Sequence, residues 1–339
     1  MTEGELSRDS ATGPVPLLRI GEASAFGMKP WWDVADHHKL SPSGFASDVA
    51  CEAGTVGELA ISAISVRGHK HRIDGRENED SFAIRIAKSQ AGEEYVILVL
   101  CDGLSSAKHS AFGARRTSSL VADLLRRVIS NEAFLISRLG TVLGTFLHDF
   151  VVPELRSWPR PSGELSLAAY GYPETPSSDV PLTDLLVTLS IAVVPTTNGT
   201  SGASEVFLAT IGDSPIFVLL RNGDWLRPSY VEHDEGVLTT ATAAFPKTTD
   251  VAATQIILYE GDCLCLMSDG VGNFIQNKSG SLRLGQHLAE VWRSPRDIPT
   301  LVRDVSFDLR SADDDRTVIL CWSDRTTQQT GTESPALST

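Results

Sequence analysis

The chain has 339 residues, with 43 Asp and Glu against 29 Lys and Arg, and a formal net charge of −14. That balance excludes the basic surface a nucleic-acid backbone needs and points to a protein or small-molecule partner. Composition is globular at 42% hydrophobic and 21% charged; no apolar stretch nears the ~20 residues of a membrane span, and the opening Met-Thr-Glu-Gly-Glu-Leu lacks a signal peptide's basic and apolar regions. A soluble, cytoplasmic protein is the expectation.

Residues 1–56 are rich in Gly, Ser, Ala and Pro and show no sustained period, so they read as an irregular extension. Its Trp31-Trp32 pair either packs back on the domain or anchors a partner. Residues 57–325 carry the organised pattern. Leu59–Val66, Ser81–Ile86 and Tyr95–Cys101 read as strands. Two helices follow, one carrying Val121, Leu124, Leu125 and Val128, the other Leu135, Leu139, Val142, Phe146 and Phe150 with Asn131 as its N-cap.

Five prolines make 155–182 a long loop. Leu186–Val194 alternates with period two, Val206–Ile211 and Ile216–Leu220 flank Gly212-Asp213-Ser214, and Asn222-Gly223 is a hairpin signal leading to Trp225. Residues 228–252 read as a flap. Gln255–Tyr259 and Cys263–Met267 are strands, two short helices hold Leu284, Leu288, Val291 and then Val302, Val305, Leu309, and Thr317–Trp322 is the last strand. The tail 326–339 reads as disordered. Strands and helices come in separate runs, which favours packed antiparallel sheets with outer helices over a doubly wound parallel sheet. Cys263-Leu264-Cys265 is strand alternation; it lacks the spacing and the second pair of a zinc knuckle.

Four acids share one context. Asp80 begins a strand, Asp102 and Asp269 each end one before a glycine, and Asp314 lies just before the last strand. Asp-Gly by itself makes turns. A carboxylate at the end of a buried strand is costly unless a cation neutralises it, and hard oxygen donors select Mg²⁺ or Mn²⁺ over Zn²⁺. Two such ions suit phosphoryl displacement.

The ordered motifs resemble those of the metal-dependent Ser/Thr protein phosphatases of the 2C type, in a divergent bacterial branch, over roughly residues 60–324. Gly68-His-Lys-His71 with Arg76-Glu-Asn-Glu-Asp80 resembles the first motif and Val99-Leu-Cys-Asp-Gly103 the second. Ala209-Thr-Ile-Gly-Asp-Ser214 resembles the Gly-Asp-Ser strand pair, Leu266-Met-Ser-Asp-Gly270 the Ser-Asp-Gly motif, and Asp314-Asp-Arg-Thr-Val-Ile-Leu320 the closing strand. Five motifs in the right order are a strong signal.

The resemblance implies an α+β fold, a four-layer α/β/β/α sandwich of two antiparallel sheets flanked by helix pairs, with a dinuclear metal site at one end. It further implies that Asp102 bridges two Mn²⁺ or Mg²⁺ ions, that the Gly103 carbonyl completes one, and that Asp269 and Asp314 hold the other. Asp80, with Glu79 beside it, belongs to the same acid set and would orient water at the ions. A hydroxide bridging the ions would then attack phosphoserine or phosphothreonine in line. Asp213, sharing Asp269, would hold a weak third ion, weakened because Asn273 stands where an acid is common.

Several positions depart from the family pattern. Bacterial relatives carry a phosphate-holding Arg five residues before the motif's Asp; that position is Gly75, leaving Arg72 and Arg76 as candidates. His71, or His109 as a second choice, could give a proton to the leaving group. Asp315 replaces the common Asn beside Asp314. The expected partners are a phosphorylated protein substrate and a cognate Ser/Thr kinase or its target. The competing reading is a catalytically weak module on the same fold that binds phosphorylated partners as a regulator; a two-metal nuclease is disfavoured by the acidic balance.

Overall fold

A computed structural model describes residues 48–131, 136–156, 181–199, 202–228 and 243–323. The expectations for Trp31-Trp32, for most of the proline-rich loop, for the centre of the 228–252 flap and for the tail fall outside these residues.

In chain order the elements are strands β1 (Val49–Val56) and β2 (Leu59–Val66), helix α1 (His69–Asp74), strands β3 (Asp80–Lys88) and β4 (Glu94–Asp102), and helices α2 (Ser110–Ser130), α3 (Ile136–Phe146) and, after a π-helical turn, α4 (Val152–Arg156). Then come β5 (Leu189–Pro195), β6 (Ala203–Ile211), β7 (Ile216–Leu219), β8 (Trp225–Leu226), β9 (Ala252–Tyr259) and β10 (Cys263–Met267). Helix α5 (Asp269–Gly272), the ribbon β11 (Gln276–Asn277) and β12 (Gly280–Ser281), helices α6 (Arg283–Val291) and α7 (Ile298–Val305), and β13 (Arg316–Ser323) complete the chain.

Two sheets form, one in the order β1-β2-β13-β10-β7-β8 and the other β3-β4-β5-β6-β9, and every pairing in them is antiparallel. Their central strands are buried along their length because both faces of each sheet are covered. In β4, Tyr95, Ile97, Val99 and Cys101 face α2, α3 and α4, while Val96, Leu98 and Leu100 face the other sheet. In β13, Val318, Leu320 and Trp322 face α6 and α7, while Ile319 and Cys321 face inward. Side chains alternate between two cores along one strand, so period two survives only as a choice of apolar partner. The result is the α/β/β/α sandwich. No helix among the described residues is long and apolar enough to cross a membrane.

Among the boundaries that differ from the sequence reading, two change an assignment. The supposed irregular extension 1–56 contains β1, which pairs along its full length with β2 through the two-residue turn Gly57-Glu58. It is an edge strand whose Ala, Glu, Gly and Thr residues are mostly exposed, so it carries no apolar period. Asn131 closes α2 by donating its N–H to the Val128 carbonyl, so the N-cap assigned to the next helix belongs to the end of the previous one.

Candidate metal centre

All the acids singled out in the sequence lie at one end of the sandwich. In the sheet register Asp80, the first residue of β3, stands opposite Asp102, the last of β4. Asp269 follows β10 as the first residue of α5, Asp213 lies in the β6–β7 turn, and Asp314 precedes β13. The Asp102 carboxylate accepts the Asp269 backbone N–H at 3.3 Å and the Ser214 hydroxyl at 3.5 Å, which joins the two sheets at this point.

The turn carrying Asp213 is fixed from β5 and the residue before it. Thr188 and Ser214 share a hydroxyl contact of 2.6 Å, and Ser190 donates to the Ser214 carbonyl at 2.7 Å. Gly212 adopts φ +97°, and a Cβ there would come within 2.8 Å of the Thr188 side chain, so the turn needs glycine on both counts. Gly103 is held by its N–H to the Glu79 carbonyl at 3.0 Å.

Asp80 rests on a polar network inserted into apolar strands. Its carboxylate accepts from Ser268 and Thr317; the Thr317 and Ser65 hydroxyls lie 2.7 Å apart, Asn78 donates to the Ser65 hydroxyl at 2.8 Å, and the Asn78 amide oxygen accepts the Asp80 N–H at 3.0 Å. The sequence reading did not assign this network. Its trace is there: Ser65 and Thr317 interrupt two apolar strands and fall opposite one another in the register.

Burial first, and then the charges of Asp102 and Asp315, push the Asp80 carboxyl well above the usual range. Burial and the Asp269 charge raise Asp102 likewise. Asp269 is pushed up from 3.8 to about 6, by burial and then by Asp314 and Asp213. These acids therefore feel each other more than any counter-charge.

A divalent ion fits this set. Asp80 Oδ2 is buried and has no hydrogen-bond partner among the described residues, and the charges facing Asp80 are the carboxylates of Asp102 and Asp315, the chemistry that Mg²⁺ and Mn²⁺ take.

A pH dependence follows. Between 3.8 and about 6 the folded protein holds a proton on Asp269 that the unfolded chain releases, so stability without ions falls as pH rises through that window. Asp80 and Asp102 extend the loss upward. The melting temperature of chelator-treated protein is expected to drop from pH 4 to 7, and added Mn²⁺ to raise it more at pH 7 than at pH 5. A metal-induced shift that is larger at pH 5 would contradict the cage.

The two candidate arginines separate. Arg72 is 4% exposed and lies among Asp48, Arg67 and Asp315, with burial lowering its pKa to about 10. Enclosed in this way, it is not offered to a phosphate. Arg76 is partly exposed and donates to Glu79 Oε1 at 2.5 Å, beside Asp80. Gly75, five residues before Asp80, ends α1 in the left-handed conformation at φ +71°, a position that favours glycine over any side chain.

Asp314 and Asp315 also separate. Asp314's side chain is 58% exposed and faces the cage. Asp315 is buried at 3% and accepts three donors: the backbone N–H groups of Gly68 and Glu79, each at 2.5 Å, and His71 Nδ1 at 2.9 Å. His71 is 2% exposed. Burial lowers its pKa, but the hydrogen bond and charge of Asp315, with Glu79 and Asp314 beyond, leave it raised. His109 is half-buried at the start of α2, where its N–H binds the Asp184 carbonyl at 2.8 Å.

Among solved structures the chain is similar to a bacterial serine phosphatase carrying a point substitution, at 18% identity and TM-score 0.45, over 80% of this chain and 100% of that one. It is also similar to the serine/threonine phosphatase Stp1 from Staphylococcus aureus, at 16% identity and TM-score 0.43, over 86% and 99% of the two chains. The phosphatase domain of the cell fate determinant SpoIIE from Bacillus subtilis is similar at 14% identity and TM-score 0.40, over 86% and 97%. No curated protein matches. The family described as Protein phosphatase 2C matches residues 67–303, well over half of the sequence and the whole span from the first motif to α7. With its five motifs in order and their acids gathered at one end of a two-sheet sandwich, the chain belongs to the protein phosphatase 2C family.

Proposed function

We propose that the protein hydrolyses phosphoserine and phosphothreonine on proteins, with Mn²⁺ or Mg²⁺ held by Asp102, the Gly103 carbonyl, Asp269 and Asp314. The observation that carries this reading is the convergence, from separate stretches of chain on both sheets, of carboxyls whose pKa values are raised by burial and then by one another. Divalent ions there supply Lewis acidity, neutralising phosphate oxygens and lowering the pKa of the attacking water.

The protein's own groups do the placing. Asp80, fixed by Ser268 and Thr317, and Glu79 orient water at the cage. Arg76, which Glu79 holds beside Asp80, is the side chain positioned to meet the substrate phosphate. Asp213, exposed in its turn, extends the cage toward solvent as a weak third position. The products of a cytoplasmic Ser/Thr kinase are the natural substrates, and the −14 net charge makes ions at this end a precondition for a phosphopeptide to approach.

The test is phosphate release from phosphoserine and phosphothreonine peptides. Release with added Mn²⁺ or Mg²⁺ that stops with chelator is the expected result. Phosphopeptide binding in the presence of both ions, with no release from any peptide, would overturn it in favour of a phosphopeptide-binding regulator.

A further inference from the structure

The two sheets are unequal, six strands against five, and β1 and β3 are edge strands. Glu52, Gly54 and Val56 of β1 stand in register with Ala63, Ile61 and Leu59 of β2, and cross-strand partners share a face. Those three β2 residues belong to the apolar layer between the sheets, so this is the inward face of β1. It offers the layer a carboxylate, a glycine and one valine. On β3, Phe82 and Ile84 pack on the same layer; Ile86 continues that face with the strand's period of two, yet it is 48% exposed. What β1 fails to fill is an open slot of about 270 Å³, lined by Val56, Ile61, Ile84 and Ile86, with Glu52 on one wall and Arg126 of α2 on the other.

Gly54 is what keeps the slot open. Its φ is not in the left-handed region, and a Cβ added there would meet no heavy atom within 4 Å, so neither a turn nor a close backbone approach accounts for the glycine. The space is smaller than the roughly 300–1,000 Å³ of sites that enclose drug-sized ligands, and its apolar lining suits one large aromatic side chain. The rim sets the flanking charges. Glu52 is exposed, and Arg126 lies 3.7 Å from an Asp123 carboxylate that Arg85 already holds at 2.9 Å. Lys29-Pro-Trp-Trp-Asp33, in the chain that leads into β1, matches this rim with a cation before its aromatic pair and an anion after it. The tether is long enough. Gly54 lies about 20 Å along β1 from Asp48, whereas the residues between Trp32 and Asp48 span up to about 50 Å when extended, and a tether of this kind holds its two ends at a high effective concentration.

We propose that the Trp31-Trp32 segment of this same chain docks in the slot between β1 and β3, one indole entering over Gly54, with Asp33 toward Arg126 and Lys29 toward Glu52. Neighbouring side chains of an extended segment point to opposite sides, so one of the two tryptophans enters and the other stays outside. The docked indole completes the layer that β1 leaves short and covers Ile86. Of the two roles the sequence leaves open for the pair, this assigns packing on its own domain. The slot lies along the side of the sandwich, lined by the second half of β3, whereas Asp80 begins that strand at the acid end. The inference therefore does not depend on the phosphatase reading.

Photo-cross-linking of the full-length protein, with p-benzoylphenylalanine placed at position 31 and separately at position 32, reads the contact directly. Cross-links within one chain to the peptides holding Gly54–Val56 or Ile84–Ile86 are the expected result, stronger from one of the two positions. Gly54→Leu, which fills the slot, should cut their yield at least about tenfold, the factor that losing the burial of one apolar side chain gives. Trp31→Ala combined with Trp32→Ala should lower the melting temperature of the otherwise native chain by at least about 2–4 °C and leave that of Gly54→Leu unchanged. Cross-links that join two chains overturn the proposal in favour of a second copy in the slot. Cross-links to other surfaces, or none, overturn it outright, as does an equal loss of melting temperature with and without Gly54→Leu. The cross-link map on the chain that keeps Gly54 decides even if the leucine variant fails to fold.

Discussion

Asp102→Asn is expected to abolish metal-dependent phosphate release, by at least about 10³-fold, while raising the melting temperature of the ion-free protein. The two effects have one origin. Asp102 sits where both sheets meet, bonded to the Asp269 N–H and to Ser214, and burial together with the charges of Asp269, Asp314 and Asp315 makes its ionised form costly. A neutral amide of the same shape removes that repulsion. It also removes an anionic oxygen from the proposed ion cage, and loss of even an outer-shell partner costs 10–100-fold in metal affinity or activity. Retained phosphate release would sink the assignment of Asp102. Retained release together with a lowered melting temperature would also remove the reading of this end as an electrostatically strained cage. Activity assays in Mn²⁺ and thermal scans in chelator, run on the same preparation, separate the two effects.

Asp315→Ala should be the most damaging single change to stability near the site, at about 3–5 kcal/mol. The carboxylate ties the loop after β2 to the start of β13 through Gly68, Glu79 and His71. Without it, two inward-facing N–H groups and an imidazole lose their acceptor, and each unsatisfied group costs roughly 1–3 kcal/mol. In a domain of this size each kcal/mol moves the melting temperature by about 2–4 °C, so a fall on the order of 10 °C is expected. Asp315→Asn, which keeps one acceptor oxygen, should lose markedly less. Urea unfolding that shows under about 1 kcal/mol for Asp315→Ala would mean the three bonds are incidental to the fold.

Much of this was legible in the sequence because the strands are buried on both sides. Leu59–Val66 and Cys263–Met267 have the limits read from the sequence, the first from an apolar run broken only by Ser62 and Ser65, the second from an unbroken one. The order of strand and helix groups gave the layers, and the acids at strand ends marked the end of the sandwich where they gather. The elements that escaped lack such a signature. β1 is an exposed edge, and α1, with the sequence His-Lys-His-Arg-Ile-Asp, is too short to show a helical period.

Neighbouring residues of like type were the other blind spot. The alignment on Thr317 favoured Asp314 as the ligand but said nothing of what Asp315 would do; its inward turn is decided by the N–H groups of Gly68 and Glu79, from a loop more than two hundred residues away. The same holds for Arg72 and Arg76, where a glycine at φ +71° between them closes the helix that encloses the first and releases the second.

The cage draws its acids from both halves of the sandwich, Asp80 and Asp102 from one sheet and Asp269 and Asp314 from the other. Between the sheets lies an apolar layer with no directional bonds, so that seam on its own resists sliding only through the fit of its side chains. Ions gripped across its open end would act as a clasp, converting two stacked slabs into a hinge-free block at the place where a substrate loop must be gripped. The ion supply of the cell would then set the stiffness of the molecule as well as its chemistry.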